Sequence, residues 1–272
     1  MVTTKEIMGL ALDLAGFTSV PQDSGIYIHG RNIRNILFAI DADVPELLLA
    51  KQLGCDAVIS HHPKGGLPMI NFHEVFKRHI QQMVGAGVPR LEAEEAVQRK
   101  ISALEVEGHT RNYGHAVDVA RLLKLPYMNI HTPLDELGRR IMTQKISQKL
   151  DEDATVGDVV SALKSISEFQ NATTGIKIRL GTAMNLAGKV MISHGAGTNG
   201  GYEIARTYFK HGISTLIYIH ISPADLEKLR VDKAGNMIVT GHIVSDSVGI
   251  NPFIKELENR GLSITRLGVI PP

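Results

Sequence analysis

The 272-residue chain has no tryptophan, one cysteine and almost no net charge, and each shortage excludes a class of protein. The single cysteine, Cys55, excludes internal disulfides and a cysteine-based zinc site. Aromatic residues make up only 5% of the chain, which argues against a stacking platform for single-stranded nucleic acid. The formal net charge of +1 provides no electrostatic footprint for nucleic acid either. We therefore expect no nucleic-acid partner.

Long apolar runs are also missing from the chain. No run reaches 18 apolar residues, and the N-terminal segment is polar, without the apolar stretch of a signal peptide. Hydrophobic residues nevertheless make up 43% of the chain and charged residues 21%, which is ordinary for a folded globular protein. We expect a cytoplasmic protein without membrane contact, built as one large domain or as two smaller lobes.

Short apolar runs alternate with helical patterns, and this alternation predicts an α/β fold. Residues 36–40 and 57–60 are typical of buried strands on either side of a helix. Residues 73–125 are mostly helical in pattern, with one helix expected from His73 to Val84. A second strand–helix–strand stretch follows over residues 190–221.

Several helix ends can be predicted from capping patterns. Asp43 can cap a helix that ends at Gly54. Thr155 followed by Asp158 resembles a capping box in which aspartate replaces glutamate. Ser245 is predicted to cap the last helix of the chain.

Histidine ends three of the predicted strands. Two of these histidines are followed four positions later by aspartate; the clusters are His61 with His62, His131 with Asp135, and His242 with Asp246. Open α/β sheets bind their ligands at the carboxyl ends of strands. Imidazole and carboxylate together suit Zn, Fe, Ni or Mn, and a carboxylate can bridge two ions. An isolated histidine pair could be structural, but three such clusters predict a shared metal site.

A glycine-rich loop, Gly195–Gly200, lies between a predicted strand and a helix and has the pattern G-x-G-x-x-G. One interpretation is a dinucleotide-binding loop, but the acidic residue expected about 20 positions later is missing, and His220 and Ser222 stand there. A second is a tight turn that needs glycine for positive φ. A third is a loop that holds an anionic part of a substrate, with substrate-binding residues His194, Gly195, Gly197 and Gly200.

Taken in order, the motifs Ser-His61-His62-Pro, His131-Thr-Pro-Leu-Asp135 and Gly-His242-x-x-x-Asp246 resemble the signature of one family. It is the NIF-three-like family of dinuclear-metal proteins, often labelled GTP cyclohydrolase 1 type 2. The resemblance implies two interlinked α/β lobes with mixed sheets, assembled into a toroidal homohexamer around an internal cavity. On this basis residues 1–138 plus 237–272 form a metal-binding lobe, and residues 139–236 form a second lobe.

The resemblance also implies two divalent metal ions, Zn, Fe, Mn or Ni. Their ligands would be His61, His62, Asp135, His242 and Asp246, with the first two histidines on different ions. Asp246 stands where the family has a bridging glutamate, and its side chain is one methylene shorter. His131 matches a family histidine close to the metals, and we expect it to act behind the ligands or as an acid/base residue.

The expected function is that of a metal-dependent hydrolase that activates water on a small, nucleotide-like or otherwise anionic substrate. The alternative is a non-catalytic metal-binding, metal-handling or interaction protein. An open metal site would favour the enzyme, and a closed, fully ligated site would favour the alternative. His62 and His131 are 69 positions apart, about twice the separation in compact relatives. We expect the additional helical segment, about residues 74–112, to border the cavity without contributing ligands.

Overall fold

The structure, a computed structural model, describes residues 2–149 and 151–272. It divides into two units, each of which is discontinuous in sequence. Unit one comprises Met1–Val75, Ser102–Leu137 and Gly249–Val269, and unit two comprises Phe76–Ile101, Gly138–Val248 and Ile270–Pro272.

Helices and strands alternate along most of the described residues. The helices are α1 (Thr4–Ala15), α2 (Val44–Gln52), α3 (Gly66–Ile70), α4 (Phe72–Val75), α5 (Arg78–Gly85), α6 (Arg90–Gly108), α7 (His115–Leu122), α8 (Thr132–Ser147), α9 (Val156–Lys164), α10 (Ser167–Asn171), α11 (Gly201–Lys210), α12 (Pro223–Val231) and α13 (His242–Asn259). The strands are β1 (Gly25–Ile28), β2 (Asn35–Ala39), β3 (Ala57–Ser60), β4 (Tyr127–Asn129), β5 (Lys177–Leu180), β6 (Val190–Ile192), β7 (Thr215–Tyr218), β8 (Asn236–Val239) and β9 (Ser263–Leu267).

The sheet of unit one has the strand order β1-β4-β3-β2-β9. β4, β3, β2 and β9 are parallel neighbours, and β1 pairs antiparallel with β4. β2 and β3 are almost wholly buried, as continuous apolar strands of a parallel sheet covered on both faces must be. Leu47 and Ala50 of α2 and Ala116 and Ala120 of α7 belong to the apolar cluster that packs against these strands.

The sheet of unit two has the strand order β5-β8-β7-β6. β6, β7 and β8 are parallel, and β5 pairs antiparallel with β8. Ile192, Ile217 and Ile238, one from each parallel strand, belong to one apolar cluster with Val159 and Leu163 of α9. β8 is a member of this sheet. The assignment of residues 237–272 to a metal-binding lobe stays a prediction.

The predicted fold class is confirmed, since both sheets are mixed and the chain is α/β throughout. The capping predictions at Asp43 and at Thr155 with Asp158 are also confirmed, and both form complete capping boxes. The prediction for Ser245 is wrong. α13 begins three residues earlier, at His242, after a turn at Gly241 with φ of +107°. The Ser245 hydroxyl donates to the Gly241 carbonyl oxygen at 2.6 Å, which is a bond back to the preceding turn of the helix.

The segment predicted as one helix from His73 to Val84 forms two helices, α4 and α5. The interruption comprises Phe76 and Lys77, and the chain passes from unit one to unit two directly before it. The antiparallel edge strands β1 and β5 are not among the predicted elements. Within the part of the chain that the structure describes, no helix is long and apolar enough to cross a membrane.

Candidate metal centre

Polar side chains follow three neighbouring parallel strands of unit one. Asp41 lies two residues after β2, His61 and His62 follow β3 directly, and His131 lies two residues after β4. The backbone amide of Ile130 donates to the Ser60 carbonyl oxygen at 3.0 Å, which aligns the ends of β3 and β4. The topology therefore brings these residues to the edge of the sheet where α/β proteins place their ligand sites.

The three histidines of this edge form one cluster. One ring nitrogen from each of His61, His62 and His131 lies within 4.8 Å of those of the other two. The Nδ1 atom of each ring is held by an oxygen acceptor: the Ile130 carbonyl at 3.0 Å, Asp41 at 3.1 Å and Asp23 at 2.7 Å, respectively. Carbonyl and carboxylate oxygens only accept hydrogen bonds, so Nδ1 carries the proton in all three rings. Nε2 is then the nitrogen with a lone pair, the arrangement found in histidines that bind metals.

Asp135 completes this cluster in unit one. It lies in the first turn of α8, and its Oδ1 atom is 3.0 Å from Nε2 of His61. Both side chains are buried, at 0% and 4% exposure. Because Nδ1 of His61 carries the proton of the neutral ring, a lone pair of Nε2 faces a carboxylate oxygen. Two acceptors at this distance require a cation or an additional proton between them. The donor set therefore fits a metal ion.

His131 is held by a buried carboxylate that the sequence analysis did not identify. Asp23 is 0% exposed, and its Oδ2 atom accepts hydrogen bonds from His131 Nδ1 and from the Thr132 hydroxyl, both at 2.7 Å. Burial disfavours the charged imidazolium, but the carboxylates of Asp135 and Asp23 outweigh it and raise the pKa of His131. His131 Nε2 is also 3.7 Å from Asp135 Oδ2.

His62 is positioned by a more exposed pair of charges. Asp41 Oδ1 accepts from His62 Nδ1 and lies 2.8 Å from Nζ of Lys64. The hydrogen bond from His62 and then the Lys64 ammonium keep the pKa of Asp41 well below its usual range, although partial burial opposes them. The side chain of His62 is 18% exposed, so this part of the cluster is the more accessible one. Asp41 could not be predicted from the histidine clusters, because the strand that precedes it, β2, is not followed by a histidine.

The remaining predicted ligands, His242 and Asp246, lie together in unit two. His242 is the first residue of α13, and its Nε2 atom is 3.5 Å from Asp246 Oδ2, one helical turn later. His242 is 40% exposed, whereas Asp246 is 1% exposed. In both units, then, a histidine at the start of a helix faces an aspartate four residues later, as the shared spacing predicts.

A further histidine, His220, accompanies His242 in unit two. The two ring centroids are 4.7 Å apart. Asn199 Oδ1 accepts from the amide of Gly201 at 3.0 Å, so its Nδ2 atom is the donor to Nδ1 of His220 at 2.9 Å. The neutral ring of His220 therefore carries its proton on Nε2. Its position two residues after β7, a strand parallel to β8, could have indicated that His220 lies near His242.

The glycine-rich loop follows β6 in unit two. Gly195 and Gly197 have φ of +71° and +83°, which only glycine adopts readily. At Gly200, φ is negative, but a Cβ atom would lie 2.6 Å from the Tyr218 hydroxyl and 2.7 Å from Ile204. The tight-turn interpretation, which requires positive φ, therefore holds at Gly195 and Gly197, whereas at Gly200 glycine is required by the close packing of Tyr218 and Ile204. His194 is buried, at 4% exposure, and the contact of this loop with a substrate stays a prediction.

Helix α5, at the start of the additional helical segment, binds the carbonyl oxygens of this loop. Gln82 Nε2 donates to the His194 carbonyl at 2.6 Å, and Arg78 Nε donates to that of Gly195 at 2.7 Å. His79 Nε2 donates to the carbonyl of Thr198 at 2.9 Å. Part of the additional segment is therefore a support for the glycine-rich loop.

These features define a class of protein: an α/β chain with two mixed sheets and histidine–aspartate clusters compatible with metal binding. The chain is similar to the NIF3 superfamily protein from Sphaerobacter thermophilus, with 44% sequence identity over 98% of each chain and a TM-score of 0.97. The chain belongs to the NIF3 superfamily, and the predicted family is confirmed.

More distant solved structures share the fold. Reduced HcgD from Methanocaldococcus jannaschii is 11% identical over 98% of both chains, with a TM-score of 0.60. The hypothetical protein SA1388 from Staphylococcus aureus is 16% identical over 96% of this chain and 95% of that one, with a TM-score of 0.54. No family model matches the sequence, and the comparison with curated proteins found no match.

Proposed function

We propose that the protein binds two divalent metal ions, Zn, Fe, Mn or Ni, and acts as a metal-dependent hydrolase on a small anionic or nucleotide-like substrate. The observation that carries this proposal is the three-histidine cluster. Three buried or half-buried rings with Nδ1 engaged, and a carboxylate 3.0 Å from one Nε2, are an arrangement that a divalent cation stabilises. The sequence resemblance to the NIF-three-like family supports the same assignment.

The proposed ligands are His61 and Asp135 for one ion and His62 and His242 for the other, with Asp246 as the bridging carboxylate. Metal ions bound there would lower the pKa of a water molecule and polarise the bond to be cleaved, a C–N, P–O or amide group. The Asp246 carboxylate is buried, and buried charges in proteins are paired or coordinate metals, which supports a role of Asp246 as a metal ligand.

His131 is the proposed acid/base residue. Its Nδ1 proton is held by Asp23, which fixes the ring orientation and keeps the lone pair on Nε2. The two neighbouring carboxylates favour the protonated ring, so that His131 can accept a proton from water and return it to a leaving group. His194, Gly195, Gly197 and Gly200 are proposed to hold an anionic part of the substrate. We also propose that the protein is cytoplasmic and assembles as a homohexamer.

A second candidate function is non-catalytic metal binding or handling. The near-complete burial of His61, His131 and Asp135 favours it, because structural metal sites are closed. The 40% exposure of His242 and the 18% exposure of His62 favour an accessible site and thus the hydrolase.

A hydrolysis screen with wild-type protein and a His131→Gln variant tests the proposal. Both proteins should contain two metal ions per chain, and at least one class of phosphate ester, cyclic amidine or amide should be hydrolysed by the wild type alone. Full metal content without hydrolysis of any of these substrate classes would support the non-catalytic function instead. Equal rates for both proteins would remove His131 from the acid/base role.

A further inference from the structure

A cavity of about 490 Å³ opens on unit two, at the end of β8 opposite to His242. The end of β5, the end of α12 and the start of β8 form its wall. β8 begins in this wall at Asn236 and runs to Val239, before the turn that leads to His242. The cavity and His242 therefore lie at opposite ends of the same strand, and the cavity is separate from the candidate metal centre.

The charge of this cavity is of one sign. Arg179, Arg230 and Lys233 line it, and no lining residue among those described is acidic. Arg230 pairs with Glu227 at 3.2 Å. Across residues 2–149 and 151–272, no carboxylate lies within 4.0 Å of the charged group of Arg179 or of Lys233. The chain as a whole has 29 basic and 28 acidic residues, so a wholly cationic cavity is a local departure from its average.

Two ordinary explanations account for parts of this pattern. Arg230 and Lys233 lie at the carboxyl end of α12, where cations offset the helix dipole. Arg179 lies on the edge strand β5, where charge discourages pairing with another chain. Neither explanation requires cations from two separate elements to line one cavity.

The framework of the cavity is well defined by hydrogen bonds. Asn236 Oδ1 accepts from Asn185 Nδ2 at 2.9 Å, and Asn236 Nδ2 donates to the Leu186 carbonyl at 3.1 Å. A side chain at Gly181 would clash with this wall, since its Cβ atom would lie 2.2 Å from Asn236 Oδ1. Lys233 has φ of +49°, a conformation that non-glycine residues rarely adopt. The cavity thus has a hydrogen-bonded wall of amides next to its cationic side chains.

We propose that this cavity binds a small molecule that carries a phosphate group. Its volume lies within the range of about 300–1,000 Å³ that is usual for small-ligand sites. Two cations without carboxylate partners match the charge of a phosphate, and a guanidinium binds phosphate through two parallel hydrogen bonds. Leu180 and Leu229 add an apolar surface that suits the body of a phosphate ester. This proposal is independent of the hydrolase function.

Calorimetric titration of the full-length protein with inorganic pyrophosphate and with a nucleoside monophosphate tests it. The Arg179→Gln, Lys233→Gln double variant should bind at least ten-fold more weakly than wild type. A Lys164→Gln, Lys255→Gln double variant, which removes the same charge from exposed positions elsewhere, should stay within two-fold of it. Tighter binding of the monophosphate would identify an ester as the ligand, and tighter binding of pyrophosphate an inorganic anion.

Phosphate also binds metals, so the titration is repeated with a His61→Ala, His62→Ala variant. Binding should persist there, because the cavity is separate from those residues. Loss of binding in that variant would assign the anion to the metal centre and overturn the proposal. Failure of wild type to bind either compound, or equal affinity of the cavity variant and its control, would overturn it as well.

Discussion

Replacement of His79 should change how the free energy of unfolding depends on pH. The His79 ring is fully buried, with Nε2 bonded to the Thr198 carbonyl and Nδ1 3.3 Å from the Ser193 hydroxyl. Burial disfavours the charged ring more than the bond to Thr198 favours it, and lowers the pKa of His79 from 6.5 to about 4. Between these pH values the unfolded chain binds the proton and the folded chain does not.

Stability is therefore fully present above pH 6.5 and is lost as the pH falls towards 4. At pH 5 the titration of His79 should lower the free energy of unfolding by about 2 kcal/mol relative to pH 8. Below pH 4 this loss should level off at about 3 kcal/mol. A His79→Gln variant keeps an amide that can donate to Thr198 but cannot be protonated. At pH 8 it should be less stable than wild type by about 1 kcal/mol, the value of a typical buried hydrogen bond, because it loses the contact of Nδ1 with the Ser193 hydroxyl.

Urea denaturation at pH 8, 7, 6 and 5, followed by circular dichroism, measures this effect. The difference between wild type and His79→Gln should shrink by about 2 kcal/mol from pH 8 to pH 5 and change sign. His109→Gln is the control, because the ring of His109 is 75% exposed. Parallel stability curves for wild type and His79→Gln over the whole pH range would refute the reasoning.

Three further predictions concern the candidate site and its support. Asp246→Asn should lower the content of both metal ions and Asp246→Glu should preserve it; loss of a single ion by elemental analysis would make Asp246 a terminal ligand. Asp23→Asn should leave the protein folded and its metal content unchanged but lower the rate of the proposed hydrolysis about 10- to 100-fold, as measured with the substrate class found in the screen, and an unchanged rate would contradict a role in orienting His131. Gly200→Ala should destabilise the protein by about 1–3 kcal/mol in urea denaturation through its clash with Tyr218, whereas Gly9→Ala, with open space around it, should not; equal stabilities would argue against the clash.

The sequence predicts parallel strands of each sheet but not the antiparallel edge strands β1 and β5. β2 and β3 could be predicted because their residues are continuously apolar, as burial on both faces requires. β1 is only partly buried and shows neither a continuous apolar run nor an alternation, whereas β5 alternates basic and apolar residues over four positions, the shortest length that indicates a strand. Their pairing is set by β4 and β8, which are distant in sequence.

The candidate site was predictable where histidines follow a strand directly, as His61 and His62 do, and where histidine and aspartate are four residues apart. The four-residue spacing of His131 and Asp135 predicts two side chains on one helix face, and the structure has them at 3.7 Å. Asp23 gave no such signal, because it reaches His131 only through the antiparallel pairing of β1 with β4. Long-range pairing of this kind leaves no local pattern in a single sequence.

Metal content most directly tests the central claim that the histidine–aspartate clusters form a dinuclear metal centre. Elemental analysis should be made on protein purified without added metal, for wild type, for His61→Ala with His62→Ala, and for the exposed-site control His109→Ala. Wild type and control should each contain two divalent ions per chain, and the double variant should contain none while it keeps a cooperative unfolding transition. Two ions per chain in a folded double variant would contradict the account.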